Sequence, residues 1–131
     1  MHAVEVAAGN EQGAILFCGV FKKQHPIIGN VMVKNIDWSV PKGELAYFID
    51  AEQEGKGFTS NAVELVKNYA FEDLKIEKLY IKIDPRNLGS KRVAINNGFE
   101  KEGYFKHEYR TGYGDVTDVE RYGLVNNRSR R

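Results

Sequence analysis

The fold is decided by residues 44–74, which read ELAYFIDAEQEGKGFTSNAVELVKNYAFEDL. The first seven residues predict a strand that places Leu45, Tyr47 and Ile49 on one face, because side chains alternate along a strand. A polar segment with two glycines follows. From residue 58 to residue 74 the apolar residues recur at spacings of three and four, which predicts an amphipathic helix. The stretch therefore predicts a strand, a glycine loop and a helix in succession.

The flanking sequence predicts strands on both sides of this unit and a second, short helix after it. The order becomes β-β-β-α-β-α-β-β, an α/β mixed sheet. A strand, helix, strand crossover joins parallel strands, so the central pair is predicted to be parallel and the flanks antiparallel. Gly98 is predicted to end the second helix with a positive φ. The flanking elements are predicted at Ala14–Phe21, Ile27–Ile36, Leu79–Asp84, Leu88–Asn97 (the helix), Phe99–Arg110 and Val116–Val125.

The composition indicates one globular domain, residues 1–131, that ends in a flexible tail at 126–131. With 19 basic and 18 acidic residues the net charge is +1, which argues against nucleic acid as a partner. The sequence contains no long apolar run, so we expect no association with a membrane. Cys18 has no second cysteine to pair with, and this favours the cytoplasm. The histidines His2, His25 and His107 are scattered, so we expect no metal site.

The segment Glu54-Gly55-Lys56-Gly57-Phe58-Thr59 carries the chemical signal, since it lies between the predicted strand and helix. The start of a helix has unpaired N–H groups and a partial positive charge. Glycines let the backbone approach a ligand closely. Together these features suit a phosphate or pyrophosphate. A plain helix-entry turn is the alternative.

Several further motifs follow one another in a fixed order along the chain. Ile36-Asp37-Trp38-Ser39 precedes the motif Gly43-Glu44-Leu45-Ala46-Tyr47-Phe48-Ile49-Asp50, and the Gly55-Lys56-Gly57 loop comes next. After the loop come Asn87, Ser90, Val93-Ala94, Asn97-Gly98-Phe99, Glu102-Gly103, Asp118 and Tyr122-Gly123-Leu124.

With these motifs, residues 14–125 resemble the GNAT superfamily of acetyl-CoA-dependent N-acetyltransferases. The narrower resemblance is to the branch that acts on ribosomal-protein N-terminal amines. Three departures stand out: Glu54 where the family has Gln or Arg, Thr59 where it prefers Gly or Ala, and a shortened N-terminus of thirteen residues. Relatives have a strand and one or two helices before that point.

The resemblance implies acetyl-CoA as cosubstrate and an amine acceptor, either a small molecule or a protein N-terminus. It implies that the backbone at Tyr47, Phe48 and Ile49 contacts the pantetheine arm. The other residues that it implies for acetyl-CoA are Gly55, Lys56, Gly57, Phe58, Thr59 and Asn87.

The resemblance also implies two catalytic residues. Glu44 is the candidate general base, because an ammonium must lose a proton before its nitrogen can attack. Ser90 is the candidate donor to the leaving thiolate. The alternatives are a surface Glu44 paired with a lysine, a helix-capping Ser90, and Tyr104 or Tyr109 as the acid. Asn87 is alternatively a cap or turn residue, and Trp38 either lines the acceptor site or packs.

The resemblance therefore predicts direct transfer of an acetyl group to a primary amine in a ternary complex. The alternative is a non-catalytic CoA-binding or protein-interaction module with the same fold, which the shortened N-terminus and Glu54 favour. A small RNA-binding domain that uses Arg128, Arg130 and Arg131 is a third hypothesis, which the near-neutral charge disfavours. A homodimer is a further expectation, because the missing elements would leave apolar sheet exposed.

Overall fold

A computed structural model describes the backbone of residues 2–9, 15–22, 27–49 and 58–126, and the side chains of residues 31–47 and 59–126. The chain forms seven strands and two helices within these ranges. In chain order they are β1 (His2–Gly9), β2 (Ile15–Lys22), β3 (Ile27–Asp37), β4 (Lys42–Ile49), α1 (Phe58–Glu72), β5 (Lys78–Ile83), α2 (Leu88–Asn96), β6 (Glu100–Arg110) and β7 (Val116–Val125).

The seven strands form a single sheet in the order β1-β2-β3-β4-β5-β7-β6. Strands β4 and β5 are parallel, and every other neighbouring pair is antiparallel. The predicted fold class is therefore confirmed, including its central parallel pair and its antiparallel flanks. The parallel pair divides the sheet into a first arm, β1 to β4, and a second arm made of β5, β7 and β6.

Both helices pack on one face of this sheet. Four residues of α1 are fully buried there, and they recur along one side of the helix as the sequence pattern predicts. They pack on the apolar side chains of β3, β4 and β5 that alternate toward them. The centre of this core contains Val31, Val33, Leu45, Ala62, Val63, Val66, Ala70, Ile76 and Leu79, each at most 1% exposed.

The C-terminal end of α2 is fixed to α1. The backbone N–H of Asn97 bonds to carbonyls of the last turn of α2, and its side-chain amide reaches the carbonyl of Ser60 in α1. Gly98 follows with a φ of 87°, which confirms the predicted helix stop. Lys67 of α1 donates to the Asn97 carbonyl at 3.2 Å and adds a second tie between the helices.

Two predictions about the ends of the chain need correction. The sequence predicts no strand before residue 14, yet residues 2–9 form β1, paired along its length with β2. Alanine and glycine have weak strand propensity, so this strand depends on its neighbour and its own sequence pattern is faint. At the other end, Asn126 is buried and its N–H donates to the Glu77 carbonyl at 2.8 Å, so it is not part of a flexible tail. Residues 127–131 of the predicted tail lie outside the described residues.

Candidate functional site

The two parallel strands separate after three paired positions. The ladder between β4 and β5 joins Lys42 to Lys78, Gly43 to Leu79 and Glu44 to Tyr80. Strand β4 then continues along β3 to residue 49, while β5 continues along β7 to residue 83. We call the opening between residues 45–49 and residues 81–83 the split. Its two backbone edges are not joined by a ladder, so an extended ligand with amide groups can pair with them.

Helix α2 begins beside the split, directly after β5. The side-chain oxygen of Asn87 accepts a hydrogen bond from the Ser90 N–H at 3.0 Å, which makes Asn87 the N-cap. Ser90 therefore lies inside the first turn and does not cap the helix. The capping bond uses the side-chain oxygen of Asn87, and the side-chain NH2 group can donate to a ligand.

Tyr47 connects β4 to this helix. Its hydroxyl donates to the Ser90 carbonyl at 2.8 Å, across 43 residues of sequence. Burial raises the pKa of Tyr47 well above the usual tyrosine value, so its hydroxyl keeps its proton and stays a donor. The first turn of α2, with the Ser90 side chain half-buried in it, is thereby fixed to the first arm of the sheet.

Glu44 lies at the point where the split begins. Its neighbour Leu45 faces the helices, so alternation places Glu44 on the opposite face of the sheet. The residue is only 8% exposed, and its Oε1 accepts a hydrogen bond from the Asn35 amide at 3.0 Å. Among the described residues it forms no ion pair, so the alternative of a surface glutamate paired with a lysine is wrong in this part of the chain.

Tyr80 is the ladder partner of Glu44 and lies on the same face. The guanidinium of Arg121 lies over its ring, 3.9 Å from the centroid. Burial raises the pKa of the Tyr80 hydroxyl, and the nearby charge of Glu44 raises it further. The base of the split thus has a carboxylate and a phenol side by side on the face away from the helices.

A second buried carboxylate, missed in the sequence, belongs to Glu120 in β7. Its Oε1 lies 3.2 Å from Lys91 Nζ and accepts from the Tyr122 hydroxyl at 3.0 Å, and its Oε2 lies 3.2 Å from Lys101 Nζ. Burial alone would raise the pKa of Glu120, but the hydrogen bonds from these three donors outweigh it and lower the pKa. Nothing local marks Glu120, because its partners come from α2 and β6 as well as β7.

The alternative acids lie away from the split. Tyr104 and Tyr109 are in β6, which β7 separates from β5. Tyr104 donates to Asp118 at 2.5 Å, and this bond raises the pKa of its hydroxyl. Tyr109 is 59% exposed. Trp38, in the turn between β3 and β4, is 51% exposed, so it is not a packed core residue.

The predicted phosphate loop, Gly55, Lys56 and Gly57, lies outside the described residues. Helix α1 begins at Phe58, as the loop hypothesis requires, and Thr59 is half-buried in its first turn. Phe48 and Ile49 are in β4 beside the split, where only their backbone is described.

The described residues lack two kinds of feature. No group of three or more His, Cys, Asp or Glu side chains there is arranged to hold a metal ion. No helix in those ranges is long and apolar enough to cross a lipid bilayer.

Known proteins are similar to this chain in sequence and in fold. A family model described as "Acetyltransferase (GNAT) domain" matches residues 2–100. The protein described as "Probable N-acetyltransferase YjcK" of Bacillus subtilis is 48% identical over 59 residues, covering 45% of this chain and 33% of its own length. "Uncharacterized N-acetyltransferase p20" of Bacillus licheniformis is 28% identical over 109 residues, covering 83% of this chain and 61% of its own.

Among solved structures, the ribosomal-protein-S5-alanine acetyltransferase from Vibrio fischeri superposes with a TM-score of 0.82 at 29% identity. The match covers 86% of this chain and 62% of that one. The chain thus spans less than two thirds of the length of each of these three proteins.

Proposed function

The chain belongs to the acetyltransferase (GNAT) domain family, and from this premise we propose that it transfers the acetyl group of acetyl-CoA to a primary amine. The observation that carries the proposal is the split, where β4 and β5 leave each other after Glu44 and Tyr80. The backbone edges there suit the amide groups of a pantetheine arm, which can hydrogen-bond to them as a strand would. An N–H of residues 47–49 aimed at the thioester carbonyl would stabilise the oxyanion that forms during transfer.

The proposed roles of Glu44 and Ser90 follow from their positions at the split. Glu44 accepts a proton from the amine, directly or through water, and the neutral nitrogen attacks the thioester carbon. The new C–N bond forms as the C–S bond breaks, and the second proton that the nitrogen then loses passes through solvent to the thiolate. The Ser90 hydroxyl, in the first turn of α2, donates a hydrogen bond to the departing thiolate. The Asn87 NH2 group donates to a pantetheine carbonyl.

The pyrophosphate is assigned to the loop at Gly55, Lys56 and Gly57, with Phe58 and Thr59 at the start of α1. This assignment rests on the sequence pattern and on the position where α1 begins.

The amine acceptor is assigned to the face of the sheet on which Glu44 lies, because acetyl-CoA is proposed to occupy the split. A protein N-terminus is supported by the Vibrio fischeri relative, whose name specifies a ribosomal-protein alanine. A small polyamine is the alternative, supported by the spermidine N(1)-acetyltransferase of Escherichia coli, 32% identical over 68 residues.

The test measures acetyl-CoA binding by titration calorimetry and CoA release with a thiol reagent, using amines and short peptides as acceptors. We expect binding and acceptor-dependent thiol release. Binding without release for any acceptor would support a non-catalytic CoA-binding module instead. Absence of both would overturn the proposal.

A pair of glycine variants locates the binding site. In Gly57→Val the new side chain would intrude on the proposed phosphate path, so we expect acetyl-CoA binding to be lost with the fold retained. Gly112→Val is the matched control, because a Cβ at Gly112 in the turn between β6 and β7 meets no atom within 4 Å. Unchanged binding by Gly57→Val would show that the loop is not the site.

A cytoplasmic location and a homodimer rest on the sequence arguments alone. The first depends on the lone Cys18, and the second on the sequence-based expectation that apolar sheet is exposed. Gel filtration with light scattering would test the dimer.

A further inference from the structure

The first turn of α2 is tied to both arms of the sheet. Tyr47 of the first arm donates to the carbonyl of Ser90 at 2.8 Å. The next residue, Lys91, reaches the second arm, where its Nζ lies 3.2 Å from Glu120 Oε1. Residues 88–91 therefore bridge the split at the position where Ser90 lies.

The contacts of the Glu120 carboxylate favour a structural role over a catalytic one. Donors from α2, β6 and β7 occupy both of its oxygens, and its side chain is 7% exposed. Because two of these donors are cations, the carboxylate stays ionised and binds a proton weakly. A carboxylate in this state is a poor base but a strong anchor for Lys91.

We propose that Glu120 is a positioning residue, which holds Lys91 and thereby fixes the first turn of α2 and the Ser90 hydroxyl at the split. The geometry supports this role because Lys91 is adjacent to Ser90 in the chain. Its contact with β7 opposes the contact of Tyr47 with β4, so the turn is held from two sides. Lys101, from β6, also lies 3.2 Å from Glu120 and helps to balance its negative charge. The role of Ser90 in transfer rests on the proposed function.

The test compares two lysine variants that each remove one tie to α2. Lys91→Met removes the tie at the first turn, while Lys67→Met removes the 3.2 Å bond to the Asn97 carbonyl at the other end of the helix. We expect Lys91→Met and Glu120→Gln to lower kcat by about 10-fold or more, since small misplacements of a reacting group are costly. We expect Lys67→Met to leave kcat within about two-fold, because it acts far from the first turn.

A coupling experiment separates positioning from a general loss of structure. If Lys91 acts through Ser90, then Lys91→Met lowers kcat in the parent but adds little in the Ser90→Ala background. The KM for acetyl-CoA stays near its parent value in Lys91→Met, Glu120→Gln and Lys67→Met. Lys91→Arg, which keeps the positive charge, restores most of kcat. Equal losses of kcat in both backgrounds would overturn the proposal.

Hydrogen exchange gives a readout that does not depend on activity. Lys91→Met should speed exchange of the backbone amides at residues 88–91, and Lys67→Met should instead affect residues 94–97. Unchanged exchange at 88–91 in Lys91→Met would overturn the positioning role. Faster exchange there, in a protein that transfers no acetyl group, would uphold the anchoring and refute the proposed function.

Discussion

The two buried glutamates of this sheet, Glu44 and Glu120, have opposite surroundings. They are similarly buried, 8% and 5% exposed. Among the described residues, Glu44 accepts one hydrogen bond, from the neutral amide of Asn35. Glu120 is held by two lysines and a tyrosine.

The difference shows how burial alone fails to indicate a role. A carboxylate between two cations gains little from binding a proton, because its charge is already compensated. A carboxylate held by one neutral donor keeps an oxygen for another partner, and an ammonium group is the natural one. Glu44 is therefore suited to receive an amine, and Glu120 is suited to hold the scaffold. Four experiments test this contrast.

The largest effect is expected for Glu44→Gln. The amide keeps the shape of the side chain but cannot take a proton from the amine, so we expect the rate of transfer to fall by about 10²- to 10⁴-fold. Acetyl-CoA affinity by calorimetry should stay near normal. Full activity in this variant would remove Glu44 from the role of base.

For stability the order is reversed, and Glu120→Ala should lower the free energy of unfolding more than Glu44→Ala. Glu120→Ala leaves the half-buried Lys91, the more exposed Lys101 and the buried Tyr122 without their acceptor, so we expect the free energy of unfolding to fall by about 2 kcal/mol or more. Glu44→Ala removes one neutral hydrogen bond and should cost about 1 kcal/mol. Urea denaturation measures both. Equal losses of unfolding free energy would contradict this prediction. They would mean that water solvates the lysines left in Glu120→Ala as well as it solvates Asn35 in Glu44→Ala.

Acid should erase the contribution of Glu120. Since its pKa is lowered in the folded protein, its bonds stabilise the fold above the ordinary glutamate value of 4.5 and are lost as the pH falls through the folded pKa. The difference in unfolding free energy between the parent and Glu120→Gln should therefore shrink below pH 4.5. A difference that grew on acidification would contradict the lowered pKa.

The smallest effect is expected at the partner of Glu44. Asn35 has a φ of 52°, so Asn35→Gly removes the amide without straining the backbone. Loss of one orienting hydrogen bond of about 1 kcal/mol should reduce kcat/KM about five-fold. A loss as large as that of Glu44→Gln would show that Asn35 itself contacts the substrate.

The sequence predicted the central elements because their patterns are local. The helix from Phe58 shows a spacing of three and four, and the alternation of Leu45 and Tyr47 matches their burial toward the helices. The strand at residues 2–9 shows only the short alternation Val4-Glu5-Val6 among alanines and a glycine, and its pairing with β2 defines it. Asn126 looks like tail sequence, but its amide satisfies carbonyls at Phe71 and Ile76 from distant elements.

The site was predictable only where a motif marks a residue. Asn87 and Ser90 belong to the same motif in the sequence, and the structure joins them in one turn, with Asn87 as the cap. The tie from Tyr47 to Ser90 spans 43 residues, and the contacts of Glu120 depend on how β7 inserts between β5 and β6. No periodicity or short motif encodes such contacts, because they arise from sheet order.

The burial of Asn126 sets a practical boundary for anyone who shortens or extends this polypeptide. Its backbone N–H donates to the carbonyl of Glu77, and its side-chain amide donates to the carbonyls of Phe71 and Ile76. These three carbonyls lie around the segment that links α1 to β5. A truncation at Val125 would leave those oxygens to water and loosen the link, whereas a purification tag fused after Asn126 would preserve them. A tag is therefore best attached after Asn126, one residue beyond the end of β7.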